Sequence, residues 1–314
     1  DLGTFLEEEY QRKILAEVLE VNGERVFERN DDLKVENLKV IKDYLSDITE
    51  QNAESINEIA KNSLNQEELF LTNGFKLIFS PKFTKLIIDW FTNKFMVIYR
   101  ADSMQLIKRF ADPKKKAVYV EKTTDEAAKL FGINSNAVGY VVSDDEPDAK
   151  LYSIFKNMKD QKTTAIAADV FESYGTIRFI NIFPLVIKAM QTGGTLVVDE
   201  FDASIHPMAL MSIINVFHND DVNIHHAQLV FNTHNPIFLN SNLFRRDEIK
   251  FVERDDDTHD SVLYALSDFG TTGDRGVRKH EDYMSKYFIS QYGAIKDIDF
   301  TPIFEGILCD EKEE

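Results

Sequence analysis

Residues 193–200 read Gly-Gly-Thr-Leu-Val-Val-Asp-Glu, and this stretch decides the fold. It consists of a turn, a continuous apolar run and two carboxylates. A short apolar run bounded by turn residues is typical of a buried strand in a parallel sheet. Ligands of open α/β sheets bind at the carboxyl ends of the strands. The stretch therefore predicts a buried strand that presents Asp199 and Glu200 at that edge, although a plain acidic turn after a buried strand gives the same pattern.

The two carboxylates suit different steps of one reaction. An acid at the sheet edge can hold Mg²⁺, usually through water, because Mg²⁺ keeps part of its hydration shell. We assign that role to Asp199. A second acid beside it can orient and deprotonate a water for attack on a γ-phosphate, which is the role we assign to Glu200.

Residues 228–235 repeat the pattern with Gln-Leu-Val-Phe-Asn-Thr-His-Asn, a predicted buried strand followed by a polar tip. The tip makes His234 a candidate sensor of the γ-phosphate. A lone histidine at a strand end is more often structural. The position of His234, one strand-helix-strand unit after Asp199 and Glu200, favours the sensor role.

A third motif lies upstream, where residues 172–176 read Glu-Ser-Tyr-Gly-Thr and open a predicted helix over 177–190. Serine and glycine at a helix N-terminus present free backbone N–H groups and a positive dipole to an anion. Taken alone, Ser173 and Gly175 are an ordinary N-cap.

From residue 163 onward the chain alternates a turn, a long apolar helix, a strand, a second helix and a second strand. This order predicts an α/β fold with a mostly parallel sheet flanked by helices. We assign residues 163–268 to this lobe. Residues 1–30 are predicted to hold a β-hairpin over 15–29, and residues 269–314 form a C-terminal tail.

The remaining segment, residues 31–162, is predicted as a helical and variable insertion. Apolar residues at helical spacing indicate amphipathic helices over 31–65, and a further helix is expected to begin after Ser80. Within the same segment we expect a helix over 124–131 and a strand over 137–142.

Composition limits the possible functions. The 314 residues carry a formal net charge of −18, which disfavours binding to polyanions such as DNA. The single cysteine, Cys309, excludes a disulfide framework, and no apolar run reaches the ~20 residues that a membrane span needs. We therefore predict a cytoplasmic protein with no membrane partner.

Together the motifs resemble those of ABC-type ATPases. Residues 173–176 look like the signature loop, 196–200 like the Walker B strand, 202–207 like the D-loop and 232–235 like the H-loop. More narrowly, the chain resembles the stand-alone AAA-type, ABC-like ATPases of bacteria. That phage-defence and abortive-infection group includes RloA and is related to OLD, RecF and SMC heads. Ile205 stands where the group usually has leucine.

The resemblance implies a P-loop NTPase of ABC type, of which this chain carries the C-terminal lobe. ATP and Mg²⁺ are the implied cofactors, with Asp199 holding the metal, Glu200 activating water and His234 reading the γ-phosphate. It also implies a homodimer or higher homo-oligomer in which two heads sandwich the nucleotide. The residues expected at the nucleotide of the partner head or at the dimer interface are Ser173, Gly175, Thr176, Ser204 and His206.

The P-loop pattern G-x-x-x-x-G-K-[ST] occurs nowhere in the sequence. Its backbone amides and lysine cradle the β- and γ-phosphates. We expect the P-loop to precede Asp1 in a longer polypeptide; a separate polypeptide and a degenerate ATPase are the alternatives.

Two other functions stay open beside ATP hydrolysis in anti-phage defence. The chain could be a nucleotide-gated scaffold that holds and releases an effector such as a nuclease or toxin, because defence ATPases of this kind often act beside one. DNA repair or maintenance, by analogy with RecF and SMC heads, ranks last because of the charge and the lack of a long coiled-coil arm.

Overall fold

The computed structural model describes residues 2–4, 12–30, 32–45, 62, 64, 67–71, 79–99, 117–133, 135–142, 149–157, 162–272, 276–296 and 298–310. The chain forms two compact units. The first comprises Asp1–Val97, Ile187–Val197 and Ile224–Gln228, and the second comprises Ile98–Val186, Val198–Asn223 and Leu229–Glu314.

The described elements are strands and α-helices, and most of the strands follow one another in consecutive runs along the chain. The strands are β1 (Leu2–Thr4), β2 (Arg12–Ile14), β3 (Glu17–Val21), β4 (Glu24–Arg29), β5 (Leu33–Val35), β6 (Phe95–Ile98), β7 (Ala117–Tyr119), β8 (Ala137–Val141), β9 (Lys150–Lys156), β10 (Thr163–Ala167), β11 (Thr195–Val198), β12 (Gln228–Phe231), β13 (Lys250–Arg254) and β14 (Ser261–Ala265). The helices are α1 (Pro81–Asp89), α2 (Lys122–Phe131), α3 (Ala168–Phe171), α4 (Tyr174–Thr192), α5 (Pro207–His218), α6 (Tyr283–Phe288) and α7 (Thr301–Asp310).

The first unit confirms the predicted hairpin. Strands β3 and β4 pair antiparallel and are joined at Asn22 and Gly23, whose φ angles are +54° and +80°. Asparagine and glycine tolerate the left-handed conformation that such a two-residue turn requires, which is why this dipeptide marks the hairpin. Strand β5 adds to β4, so the sheet order is β3-β4-β5.

Strand β5 corrects the first part, up to residue 45, of the prediction of amphipathic helices over 31–65. Residues 33–35 are extended, and only a short 3-10 helix follows at Leu38–Tyr44. Leu33 and Ile41 both pack into the core of the first unit with Phe27, so apolar residues that suggested a helical face serve a sheet instead. Residues 46–61 of the predicted helical segment lie outside the described residues.

The expected helix after Ser80 is confirmed as α1. The Ser80 side chain accepts a hydrogen bond from the backbone N–H of Phe83, and proline occupies the first turn, where its missing N–H costs nothing. Phe83 is buried in the core of the first unit, whereas Trp90, just after the helix, is about one-third exposed at 36%.

The second unit contains a four-stranded antiparallel sheet of order β10-β9-β8-β7. Strands β7 and β9 of this sheet were not predicted, and both fall within the segment predicted as a helical and variable insertion. Helix α2 and strand β8 confirm the two local predictions made there. Tyr140 of β8 is buried against Val120, Ala128, Val138 and Ile180, so α4 shares a core with this sheet.

A three-stranded sheet of order β12-β11-β6 carries the acid pair. Gln228 N donates to Gly194 O and Asn232 N donates to Val198 O, so the bonds advance in one direction along β11 and β12, which are parallel. Strand β6 was not predicted; Asp199 N donates to its Ile98 O. The core of the predicted lobe thus includes a strand from the predicted insertion.

Burial differs between these parallel strands. Leu196 and Val198 of β11 are buried, as predicted for a central strand. The prediction that β12 is buried was wrong, because Val230 is 53% exposed. Strand β12 lies at an edge of the described sheet, where fewer neighbours cover it.

The turn before β11 depends on glycine. Helix α4 ends at Thr192, and Gly193 follows with φ of +62°, the left-handed conformation that often ends helices. A Cβ on Gly193 would stand 2.4 Å from the His225 carbonyl oxygen, so no larger residue fits without movement.

The C-terminal part of the second unit packs around aromatic residues. Strands β13 and β14 pair antiparallel, and Phe251 lies in a buried cluster with Leu266, Tyr283 and Tyr292. Across the described parts of the chain, none of the helices has the length and apolar character to cross a membrane.

Candidate functional site

Asp199 and Glu200 directly follow β11 in a tight turn. Both are half-buried, so their side chains remain accessible to solvent. Glu200 has φ of +48°, a left-handed conformation that is uncommon for a residue with a side chain. The chain therefore turns sharply at the strand end, where parallel strands of α/β proteins present their ligand-binding groups.

Asn232 holds this turn from the neighbouring strand. Its Nδ2 donates to Asp199 Oδ1 at 2.6 Å, and its Oδ1 accepts from the backbone N–H of Glu200 at 2.6 Å. Its backbone N–H donates to Val198 O at 3.4 Å, and its carbonyl accepts from Phe201 N at 3.3 Å. One residue at the end of β12 thus contacts four consecutive residues at the end of β11.

No lysine or arginine in the described parts of the chain forms an ion pair with the carboxylate of Asp199 or of Glu200. The carboxylate of Glu200 accepts no hydrogen bond from any residue that the structure describes. Two adjacent carboxylates that are not paired with a lysine or arginine can bind a divalent cation and accept a hydrogen bond from a water. Mg²⁺ commonly takes one or two carboxylates and completes its shell with water and phosphate oxygens, so the donor set fits Mg²⁺.

Arg178 contacts the same turn from α4. It is buried at 2% exposure, and its Nη2 donates to the backbone carbonyl of Glu200. The sequence reasoning missed Arg178. The signal available was one cation among the apolar residues Ile177, Phe179 and Ile180, in the first half of the helix.

The predicted signature loop caps α4. Ser173 Oγ accepts from the backbone N–H of Thr176 at 3.1 Å and lies 2.8 Å from the Thr176 hydroxyl. Ser173 itself is exposed, whereas Thr176 is buried. Glu172 points elsewhere, because it is buried and accepts from Ser153 Oγ of β9 at 2.7 Å. An external ligand can therefore reach Ser173, as it can the exposed Tyr174 beside it, whereas the Thr176 hydroxyl is covered.

The signature loop touches the predicted D-loop within the same subunit. A Cβ on Gly175 would stand 2.1 Å from the Ser204 carbonyl oxygen, so only glycine permits this approach. Ser204 is exposed and has φ of +64°. His206 is exposed too, and its Nδ1 accepts from Met208 N at 3.2 Å as the N-cap of α5.

His234 lies three residues beyond β12 and is exposed. Among the residues that the structure describes, no hydrogen bond joins His234 to Asp199 or Glu200. The link between the H-loop and the acid pair is instead Asn232, two residues earlier. No role was predicted for Asn232 from the sequence, where the available signal was an amide at the end of the second strand.

The structure thus brings the predicted residues together in two groups. In the first group, Asp199 and Glu200 are hydrogen-bonded to Asn232 at the end of β12. In the second, Gly175 packs against Ser204. The roles predicted for each site residue stay predictions. No group of three or more His, Cys, Asp or Glu side chains is placed to hold a metal within the described ranges.

A buried strand that ends in an acid pair, with a parallel strand beside it and helices between the strands in the chain, defines an α/β protein. Residues 22–240 match the protein family described as "AAA domain, putative AbiEii toxin, Type IV TA system". The match covers more than half of the chain, so the chain belongs to this family of AAA-domain P-loop ATPases of the abortive-infection type. No curated protein matches the chain.

Membership in the family confirms the coarser part of the sequence prediction. The chain has the P-loop NTPase class of α/β fold, and the abortive-infection type of ATPase matches the expected group.

Proposed function

We propose that this chain carries the metal-and-water half of an ATP-hydrolysing site of ABC type, in which two heads sandwich the nucleotide. The observation that carries the proposal is the acid pair at the end of β11, which is open to solvent and is held by Asn232, two residues before His234 in the chain. The family supports the reaction class.

Within one head, three side chains divide the chemistry. Asp199 binds Mg²⁺ through its carboxylate, directly or through water. Glu200 orients a water and takes its proton as the water attacks. His234 donates to the phosphate that is transferred and so reports its presence. Bound Mg²⁺–ATP supplies the electrophilic γ-phosphate and charge neutralisation.

The residues around Gly175 and Ser204 act, in this proposal, on the nucleotide that is bound to the partner head. The N-terminus of α4, 19 residues long, offers backbone N–H groups and a positive dipole to a phosphate. In the proposed dimer, Ser173, Gly175 and Thr176 lie on the nucleotide of the other subunit. Ser204 and His206 line the dimer interface, and the contact between Gly175 and Ser204 ties the two loops together.

The phosphates themselves require a P-loop, and no residues of this chain have that pattern. We propose that the P-loop is supplied from outside these 314 residues. The test therefore uses the protein in the form that contains both the P-loop and this chain.

ATP hydrolysis and size-exclusion chromatography with ATP test the proposal. Glu200→Gln keeps the shape of the side chain but removes the base, so hydrolysis should fall roughly 10²–10⁴-fold while an ATP-bound dimer accumulates. Glu126→Gln is the matched control, because Glu126 is exposed on α2 and pairs with Lys122 at 3.6 Å, away from the acid pair. Hydrolysis at the wild-type rate in Glu200→Gln would sink the proposal.

The abortive-infection family favours a second candidate function, in which ATP binding gates the capture and release of an effector protein. The net charge of −18 is compatible with a protein partner. Under this proposal the ATP-trapped Glu200→Gln protein should retain a stoichiometric partner after purification from native cells. Recovery of the homo-oligomer alone, with full hydrolytic activity in the wild type, would favour the first proposal.

A further inference from the structure

Asn232 is the only residue among those described that touches both acids of the site through its side chain. The carboxamide donates to Asp199 and accepts from Glu200 at the same time. A carboxamide is unusual in supplying a donor and an acceptor from one planar group, whereas a carboxylate only accepts. Because the Glu200 N–H must face Oδ1, the orientation of the amide follows, and Nδ2 must face Asp199.

Stabilisation of the fold explains little of why the Asn232 side chain makes these two hydrogen bonds. The backbone of Asn232 already joins Val198 and Phe201, and those bonds do not need the side chain. The side-chain bonds are exposed to solvent, where a hydrogen bond contributes little net stability because water competes for the same groups. The side chain of Asn232 therefore contributes little to the stability of the sheet, but it can control the orientation of Asp199 and Glu200.

The geometry has a direct chemical consequence. A carboxylate that is bonded at Oδ1 cannot rotate freely, so the remaining oxygen of Asp199 keeps a fixed direction. The bond to the Glu200 N–H fixes the backbone from which the Glu200 side chain departs, in a residue whose φ is already +48°. Groups that orient metal ligands in this way typically change metal affinity or activity by roughly 10–100-fold.

We propose that Asn232 is a positioning residue of the site: it fixes the Asp199 carboxylate for Mg²⁺ and the Glu200 backbone for water activation, and it couples both to the loop that carries His234. The inference rests on the proposed ATPase function. Asn232 acts through the acids and touches neither the nucleotide nor the water.

The test measures kcat, the KM for ATP and the Mg²⁺ concentration for half-maximal rate, in the protein that contains the P-loop. In Asn232→Ala we expect kcat to fall roughly 10–100-fold and the Mg²⁺ requirement to rise about tenfold. The KM for ATP should change by less than about twofold, because Asn232 does not contact nucleotide. Asn219→Ala is the matched control: Asn219 is exposed and accepts from the Asp221 N–H at 3.0 Å, at the C-cap of α5.

A second variant separates the two hydrogen bonds. Asn232→Asp has the same shape and still accepts from the Glu200 N–H, but it replaces the donor to Asp199 with a like charge. We expect kcat to fall at least as far as in Asn232→Ala, with thermal unfolding unchanged in both variants.

The outcomes separate the two levels of the proposal. Wild-type protein that hydrolyses no ATP overturns the proposed function and this inference with it. Wild-type activity that survives in Asn232→Ala overturns the inference alone, and so does a loss of kcat with an unchanged Mg²⁺ requirement. A loss equal to that of Asn219→Ala likewise overturns the inference.

Discussion

Two carboxylate sites in this molecule have opposite surroundings. Glu17 in the first unit is buried and lies 3.6 Å from Arg29, which is also buried. Its oxygens accept from the backbone N–H groups of Phe70 and Leu71, each at 2.8 Å. Asp199 and Glu200 in the second unit are half-buried, and the side chain that holds them is the neutral amide of Asn232.

The difference distinguishes a carboxylate whose partners all lie within the protein from carboxylates that stay open to a ligand. A buried carboxylate must be satisfied by a cation and by hydrogen bonds, because its desolvation is otherwise very costly. Every contact that satisfies Glu17 also occupies an oxygen that a ligand would need. The acids after β11 lack such partners among the described residues, so their oxygens stay available to a metal and a water.

Breaking the buried pair gives the largest expected effect on stability. In Arg29→Ala the charge of Glu17 stays buried without its cation, and Glu68 O loses a donor at 2.9 Å. We expect the free energy of unfolding to fall by about 3–5 kcal/mol in a urea titration.

Arg25→Ala is the control for that measurement. Arg25 pairs with Glu20 and Glu28 at the surface, and its guanidinium holds the pKa of Glu28 below its usual value through a hydrogen bond. Solvent screens such pairs, so the unfolding midpoint should hardly move. Equal effects of the two arginine variants would contradict the distinction, as would a large loss of stability in Glu200→Gln.

Tyr140 extends the comparison to a buried group that is neutral when protonated and becomes charged only when it loses its proton. Burial raises the pKa of Tyr140 to about 12, because the core of the four-stranded sheet disfavours the phenolate. An unfolded tyrosine ionises near pH 10, so between about pH 10 and 12 the unfolded chain loses a proton that the folded chain keeps. The contribution to stability is complete below pH 10 and is lost as the pH rises toward 12.

Denaturant titrations from pH 8 to 12 check this prediction. The fall in the free energy of unfolding over that range should be smaller in Tyr140→Phe than in the wild type, by up to about 3 kcal/mol. Parallel curves for the two proteins would show that Tyr140 ionises equally in the folded and unfolded chains.

Ser173 gives a smaller expected effect on stability than Arg29 or Tyr140, and its variants separate capping of α4 from contact with the nucleotide. Ser173→Ala removes the N-cap of α4 and should cost about 1 kcal/mol. Ser173→Asp keeps a capping oxygen, so its stability should match the wild type, but its negative charge repels phosphate. ATP hydrolysis should fall in both variants. Normal hydrolysis in the capped Ser173→Asp variant would limit Ser173 to the structural role.

Local signals were sufficient for several elements. The turn at Asn22 and Gly23, the cap at Ser80 and the apolar run of β11 each depend on neighbouring residues, and each prediction is confirmed. Contacts between distant segments were not visible in this way. Leu33 joins a sheet rather than a helix because β4 pairs with it, and β6 joins β11 from about 100 positions away in the chain.

The candidate site shows the same division. Asp199, Glu200 and His234 could be proposed from the sequence because each follows an apolar run of a recognisable pattern. Asn232 and Arg178 could not be assigned, because an amide and a guanidinium have meaning only through the partner they reach across the fold.

By itself the sequence determined the class of protein: the order of apolar runs, turns and acids fixes an α/β chain with carboxylates at the ends of parallel strands. Only the tertiary structure decided how those carboxylates are held and which acids stay open. The physical reason is that strand periodicity and turn chemistry act over a few residues. The hydrogen bonds of Asn232 and the burial of Glu17 arise only when strands and segments far apart in the chain lie side by side.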